Sequence, residues 1–298
     1  MPFTVSDVEV EHVAHSLIQA AGGEANLESF FGALIRQAID EVVDGPRTGR
    51  IQYSSLTPEE KKYVGTKLEI ILRNELEYPR GRLLDLDVQG IEADIKWSQG
   101  SAWMIPRDYD DTTRHSRPPV CLLIGTHMED SLEFNVGVAR ANLITGGRNR
   151  DGKGSLRASH VDQVVGSTAT WLVRRGQLAP TFLATLPGAA VDRIMAARKG
   201  QARVNQLFTE TVGRPVPRSA VETMAQQKDP LRRTRQDASR STASALPFLV
   251  LSGVWKAHQE AARQLTGHTL KKDELMAVSH EALAKLPAEL LSRVRKEP

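Results

Sequence analysis

The segment Leu83 to Trp97, LLDLDVQGIEADIKW, limits what this chain can fold into more than any other stretch. Two apolar-polar alternations flank Gln89-Gly90, and a two-residue gap of this kind suits the tight turn of a β-hairpin. In the first strand Leu84, Leu86 and Val88 point one way and Leu83, Asp85 and Asp87 the other. In the second, Ile91, Ala93, Ile95 and Trp97 oppose Glu92, Asp94 and Lys96. A two-residue turn pairs Val88 with Ile91, Leu86 with Ala93 and Asp85 with Asp94. Two carboxylates then face each other across the strands. Like charges in that position destabilise a sheet, so the arrangement calls for a cation between them.

With 298 residues, 40% of them hydrophobic, the chain can bury two cores. Its single cysteine, Cys121, excludes a disulfide framework and suits a reducing, cytoplasmic setting. No apolar run approaches the ~18 residues of a membrane span, so no membrane association is expected. The net charge is +3 and the isoelectric point about 9.0, which is mild evidence for an anionic partner.

Along the first half, helical spacing predicts a helix from Val8 to Ala21 and another from Leu27 to Val42, with Gly45 to Ser55 as a loop. Thr57-Pro58-Glu59-Glu60 supplies an N-cap, a first-turn proline and a capping-box glutamate, opening a helix that carries Glu69 on the margin of its apolar face. After the hairpin, strands are expected at Val120 to His127 and Glu133 to Ala141. These give an α/β (α+β) domain with a sheet of at least four strands. The glycine-rich stretch Thr145 to Arg157 carries Arg148, Arg150 and Lys153, cations suited to phosphates, although a solvated surface loop has the same composition. Val161 to Arg174 reads as a helix that links two domains. The expected division is 1–160, a linker helix over 161–176, and 177–298.

The second half reads as helix-rich. Ala202 to Val212, the turn Gly213 to Pro217 and a capping box at Ser219 and Glu222 outline a helix-turn-helix. Its second helix would show Arg218, Ser219, Thr223, Gln226 and Gln227 to solvent, side chains able to reach base edges. Lys228, Arg232, Arg233 and Arg235 follow in the most basic stretch of the chain. A strand at Leu246 to Ser252 and helices at Val254 to Thr266, Lys271 to Leu286 and Pro287 to Arg295 complete the reading. The eight histidines make no metal-ligand spacing, so core or surface roles are expected for them.

An aspartate on one strand and acid-x-lysine on the next suit metal-dependent phosphodiester hydrolysis. Asp85, Asp94 and the Ile95 carbonyl are hard oxygen donors for Mg²⁺, Lys96 can stabilise charge on the phosphate, and Glu69 can bind an ion or orient water. An acid-x-lysine pair is also an ordinary salt-bridging strand face, and a helix-turn-helix regulator that never cuts DNA, or a structure-selective nicking nuclease of repair, would read similarly. Asp87 rivals Asp85 for the aspartate role.

GTKLEIILRNEL, LDLDVQGIEADIKWS, WMIP and LITGGRNRDGKGSL, followed by QARVNQLF and PRSAVETMAQQKDPLRRTR, resemble the NaeI-like type II (type IIE) restriction endonucleases. The resemblance implies a nuclease domain with a central mixed sheet, then a helix-rich winged-helix, catabolite-activator-like DNA-binding domain. It implies a catalytic set of Glu69, Asp85, Asp94 and Lys96. It further implies a cytoplasmic, homodimeric restriction-modification enzyme that cuts double-stranded DNA with Mg²⁺ and binds an effector copy of DNA besides the substrate copy.

Overall fold

The computed structural model describes residues 7–110, 117–127, 131–141, 152–198, 200–226 and 246–296. The chain divides into two compact units. The first comprises Met1–Val42 and Leu56–Ala179, the second Val43–Ser55 and Pro180–Pro298. Among the described residues no helix is long and apolar enough to cross a membrane.

The first unit is a mixed α/β structure around a central sheet. Helices α1 (Val8–Ala20), α2 (Leu27–Val43) and α4 (Pro58–Leu76) precede the strands, and the expected loop after α2 contains a further short helix, α3 (Gly45–Thr48). The capping box forms at Thr57 and Glu60 as the sequence predicts. The strands are β1 (Leu86–Val88), β2 (Ile91–Gln99), β3 (Ala102–Ile105), β4 (Val120–His127), β5 (Glu133–Arg140), β6 (Gly154–Arg157) and, after α5 (Ala158–Val164), β7 (Ala169–Gln177). Five of them form one sheet in the order β1-β2-β4-β5-β7; β3 and β6 pair separately. Only β2 and β4 run parallel within the large sheet. β4 is buried on both faces from Val120 to Thr126, as a central strand covered on both sides must be.

The linker helix expected over 161–176 is corrected here. Only its start is helical; Gly166 adopts a φ of +82° and breaks the helix, and the following residues pair along β5 as the edge strand β7. Long-range pairing overrides a short helical pattern that ran across a glycine.

In the second unit α6 (Gly188–Ala196) and α7 (Gln201–Glu210) lead to β8 (Pro215–Pro217) and α8 (Arg218–Ala225). Then come β9 (Phe248–Ser252), α9 (Lys256–Thr266), β10 (Glu274–Ser279), α10 (His280–Leu283) and α11 (Ala288–Lys296). The sheet order is β8-β10-β9. The helix expected over Lys271 to Leu286 is therefore a strand followed by a short helix. Leu275 and Ala277 of β10 join the core formed with α6, α7 and α8, whereas Met276 and Val278 join the one formed with α9 and α11. A strand with a core on each face shows an unbroken apolar run, which periodicity cannot distinguish from a buried helix. His258 is buried in this unit, accepting from the Ser252 amide and donating to the Val294 carbonyl, a core role.

One ion-pair cluster ties α1 to the first unit's sheet. Asp7 caps α1 through the amides of Glu9 and Val10, and its two oxygens also accept from Arg140 at the end of β5, at 2.6 and 2.8 Å. Glu9 accepts from Arg140 at 2.9 Å and pairs with Arg117. Burial pushes both carboxyls up, but the hydrogen bonds and charge of Arg140, with Arg117 at Glu9, outweigh it and hold both below their ordinary values. Arg140 is 4% exposed, so removing it strands Asp7 and leaves Glu9 with Arg117 alone. Arg140→Met is expected to destabilise the protein at pH 7 by about 3–5 kcal/mol. A depressed carboxyl stabilises above its unfolded value and loses that contribution as pH falls through the folded one. Denaturant titrations should therefore show the gap between wild type and variant closing below about pH 4.

Candidate active site

The hairpin forms in the expected register: Val88 opposite Ile91, Asp87 opposite Glu92, Leu86 opposite Ala93. Gln89 and Gly90 have φ of +54° and +91°, as a turn with two left-handed positions requires. The Asp87 carboxylate closes this turn by accepting from the Gly90 amide at 2.6 Å. That engagement ties one Asp87 oxygen to the turn.

Asp85 lies one step beyond the paired part of β1. Its Oδ2 accepts from the Ile95 amide at 2.8 Å, and its carboxyl is close enough to Asp94 to share a hydrogen bond. Burial first, then the hydrogen bond and charge of Asp94, push Asp85 up to about 7; the negative charge of Glu69 adds to the rise. Asp94 is 5% exposed and forms an ion pair with Lys96, two residues along the same strand face. The approach to Asp85 is held by Glu92, whose carboxylate accepts from the amides of Arg82 and Leu83.

Glu69 arrives on α4, which packs on β2. Gly65, one turn earlier, lies so close to Trp97 that a Cβ there would sit 3.0 Å from the Trp97 Cβ. The missing side chain lets the helix approach the strand and brings Glu69 within electrostatic reach of Asp85. Its carboxylate pairs with Arg73 at 3.4 Å, one turn on.

Two site neighbours had no clear sequence signal. Tyr109 stands in the 3-10 turn Arg107–Asp110, with its hydroxyl within hydrogen-bonding reach of Asp94 and Lys96 Nζ 5.2 Å from its ring centroid. Burial and the nearby Asp94 push its phenol well above the usual range. Cys121, opposite Asp94 on β4, is fully buried, and burial with the Asp94 charge raises its thiol likewise. The cue for Tyr109 was an aromatic residue just after the WMIP strand in an otherwise polar loop.

Among the described residues no three His, Cys, Asp or Glu side chains are arranged to hold a metal ion. Asp85 and Asp94 nevertheless fit a hard divalent ion as a two-carboxylate site. They meet side by side, Asp94 buried and Asp85 half-buried, and this crowding pushes Asp85 up to about 7. Mg²⁺ characteristically takes one or two carboxylates and completes its shell with water and phosphate oxygens.

A sequence model of the family described as Restriction endonuclease NaeI matches residues 23–286. The chain belongs to that family. The Type II restriction enzyme NaeI of Lentzea aerocolonigenes is 32% identical over 210 residues, covering 68% of this chain. The match takes in 62% of that relative's length.

The expected DNA-contacting residues of this NaeI-family chain fare unevenly. Lys153 is exposed just before β6; Arg148 and Arg150 lie outside the described residues. So do Gln227, Lys228, Arg232, Arg233 and Arg235. On α8, Arg218 and Ser219 are exposed, and Arg218 pairs with Glu222 at 2.7 Å. Because α8 begins at Arg218 after a Pro217 cap, the capping box expected at Ser219 does not form. Thr223 and Gln226 are only half-exposed, a correction to their expected solvent face. The short helix α3 covers them: a Cβ on Gly45 would lie 2.5 Å from Thr223, and Gln226 Nε2 reaches the Arg47 carbonyl at 3.5 Å. The expected helix-turn-helix turn is longer than predicted and contains β8, which pairs with β10.

Asp85 supplies a pH test. A raised carboxyl lets the folded state keep a proton that the unfolded chain releases, so charging it costs stability as pH rises from about 4 to about 7. Asp85→Asn mimics the neutral form. In chelator-treated buffer this variant should be the more stable protein at pH 8, by about 1–2 kcal/mol once solvent screening of the half-exposed carboxyl is counted, and should lose that advantage by pH 4. Equal pH profiles for the two proteins would mean that the carboxyls do not share a site.

Proposed function

We propose that this chain is a Mg²⁺-dependent, site-specific endonuclease of double-stranded DNA, with the first unit as the nuclease. The observation that carries the reading is the meeting of Asp85 and Asp94 across the hairpin, with Lys96 on the same face. Asp85, Asp94 and the Ile95 carbonyl would hold the ion, which when bound supplies charge neutralisation at the scissile phosphate and a more acidic water. Lys96 contributes a fixed positive charge where the phosphate gains negative charge, and an electrostatic contribution of this kind is commonly the largest in catalysis. Glu69, steadied by Arg73, orients the attacking water. The relative from Lentzea aerocolonigenes, by its name a type II restriction enzyme, supports the reading.

The second unit is the DNA-holding module. Its order of helix α7, strand β8, helix α8, strand β9, helix α9 and strand β10, with β10 in the middle of the sheet, supports a winged-helix reading in which α9 is inserted between the last two strands. The basic run from Lys228 to Arg240 follows α8 directly in sequence. Cations there would neutralise backbone phosphates and, on the family's pattern, hold an effector copy of DNA that activates cutting of the substrate copy by a homodimer.

The deciding experiment incubates the protein with unmethylated phage DNA and Mg²⁺, with and without chelator. Discrete fragments that vanish with chelator are expected. Intact DNA that is still bound would favour a non-cutting regulator, and nicked circles a structure-selective nicking enzyme. Asp94→Ala and Lys96→Ala should each lower the cleavage rate by at least about 10²-fold while DNA affinity changes little. Replacing Arg232 and Arg233 together with alanine should weaken binding and reduce the slope of log affinity against log salt by roughly 2, read by fluorescence anisotropy. An unaltered slope would place those arginines off the DNA.

A further inference from the structure

We propose that Tyr109 is a positioning residue of the carboxylate site, its hydroxyl fixing Asp94 and its ring shielding one side of Lys96. The proposal rests on the nuclease reading and extends it to a residue outside the Glu69, Asp85, Asp94, Lys96 set. Three observations carry it. The phenol oxygen comes within hydrogen-bonding reach of Asp94, which is otherwise held by Lys96. The Lys96 ammonium lies 5.2 Å from the ring centroid, within cation-π range. The tyrosine is 7% exposed and packs in one cluster with Trp103, Ile105, Cys121 and Leu123, so the ring has little freedom to leave.

Tyr109 is delivered to this place by a chain of close contacts. Trp103 on β3 donates its indole N–H to the Ile124 carbonyl of β4 at 2.9 Å. Gly125 makes that approach possible, since a Cβ there would lie 2.4 Å from the Gly100 carbonyl and 2.9 Å from the Trp103 ring. β3 runs straight into Pro106 and the turn that presents Tyr109, so a strand pinned to the sheet sets where the hydroxyl falls.

The chemical role follows from what a phenol can do. It gives Asp94 one neutral donor and takes no charge from the site, leaving the carboxylate anionic and fixed in orientation. A carboxylate held by both Lys96 and Tyr109 keeps one rotamer as an ion or phosphate arrives. The ring meanwhile keeps Lys96 from swinging into solvent. Groups that orient metal-binding side chains typically contribute roughly 10–100-fold in metal affinity or activity.

Full-length Tyr109→Phe and Tyr109→Leu should be compared with wild type by thermal melting, by terbium(III) luminescence with Mg²⁺ competition, and by Mg²⁺-dependent cleavage with DNA affinity measured separately. Tyr109→Phe, which keeps the ring, is expected to melt within about 2 °C of wild type. It should bind terbium(III) and cleave roughly 10–100-fold more weakly, with its DNA affinity unchanged. Tyr109→Leu should lose more of both. Wild-type metal binding and cleavage by Tyr109→Phe would overturn the proposal. So would a rate loss matched by a fall in folded fraction, which would make Tyr109 a core residue only. Should wild type bind terbium(III) but cut no DNA, the nuclease reading fails on its own, and the metal affinities of the two variants still decide the role of Tyr109.

Discussion

Two carboxyl groups brought to one place by a hairpin are the constraint around which the first unit is arranged. Left to themselves, Asp85 and Asp94 would repel, and a flexible strand pair would slip by a residue to separate them. Several independent features prevent this. The left-handed turn at Gln89-Gly90, closed by Asp87, sets the register. Glu92 clamps the amides ahead of Asp85, and the Ile95 amide binds Asp85 itself. β2 is further locked on its other side by parallel pairing with β4 over most of its length. The repulsion is thus confined to one spot in a sheet that cannot relax it.

Much of this was legible in the residues. The alternation on either side of Gln89-Gly90 settles both the hairpin and which acids meet, because a period of two leaves only one register that buries Leu86, Val88 and Ala93 together. The Thr57 to Glu60 cap was equally plain, since each residue acts on its immediate neighbours. What escaped was non-local. β7 is a strand because β5 lies beside it, and β10 shows an unbroken apolar run because two cores flank it. Tyr109 reaches Asp94 only through the path from β3 over β4. Neither that path nor the covering of α8 by α3 leaves any periodic trace in the sequence.

The acids of the hairpin, Asp85 and Asp94, lie in the first unit. Basic residues are concentrated at 148–157, within the same unit, and at 228–240, within the second. The modest net charge of +3 conceals this clustering, which leaves short stretches of the chain strongly positive.

The second unit is built from two stretches of chain separated by the whole of the first unit's sheet. Residues 43–55 belong with 180–298, and Gly45 sits against Thr223 with no room for a side chain. On the ribosome, α3 therefore emerges long before α8 exists. At about 5–20 residues per second the wait is on the order of ten to thirty seconds. The first unit must begin to fold with this segment unclaimed between α2 and α4. Nor can the second unit be exchanged between proteins as one contiguous piece, because a fragment starting at Pro180 leaves behind the cover of its own helix α8. Recombination that shuffles whole domains would break this family member in the middle of its N-terminal helices, which ties the inheritance of the two units together.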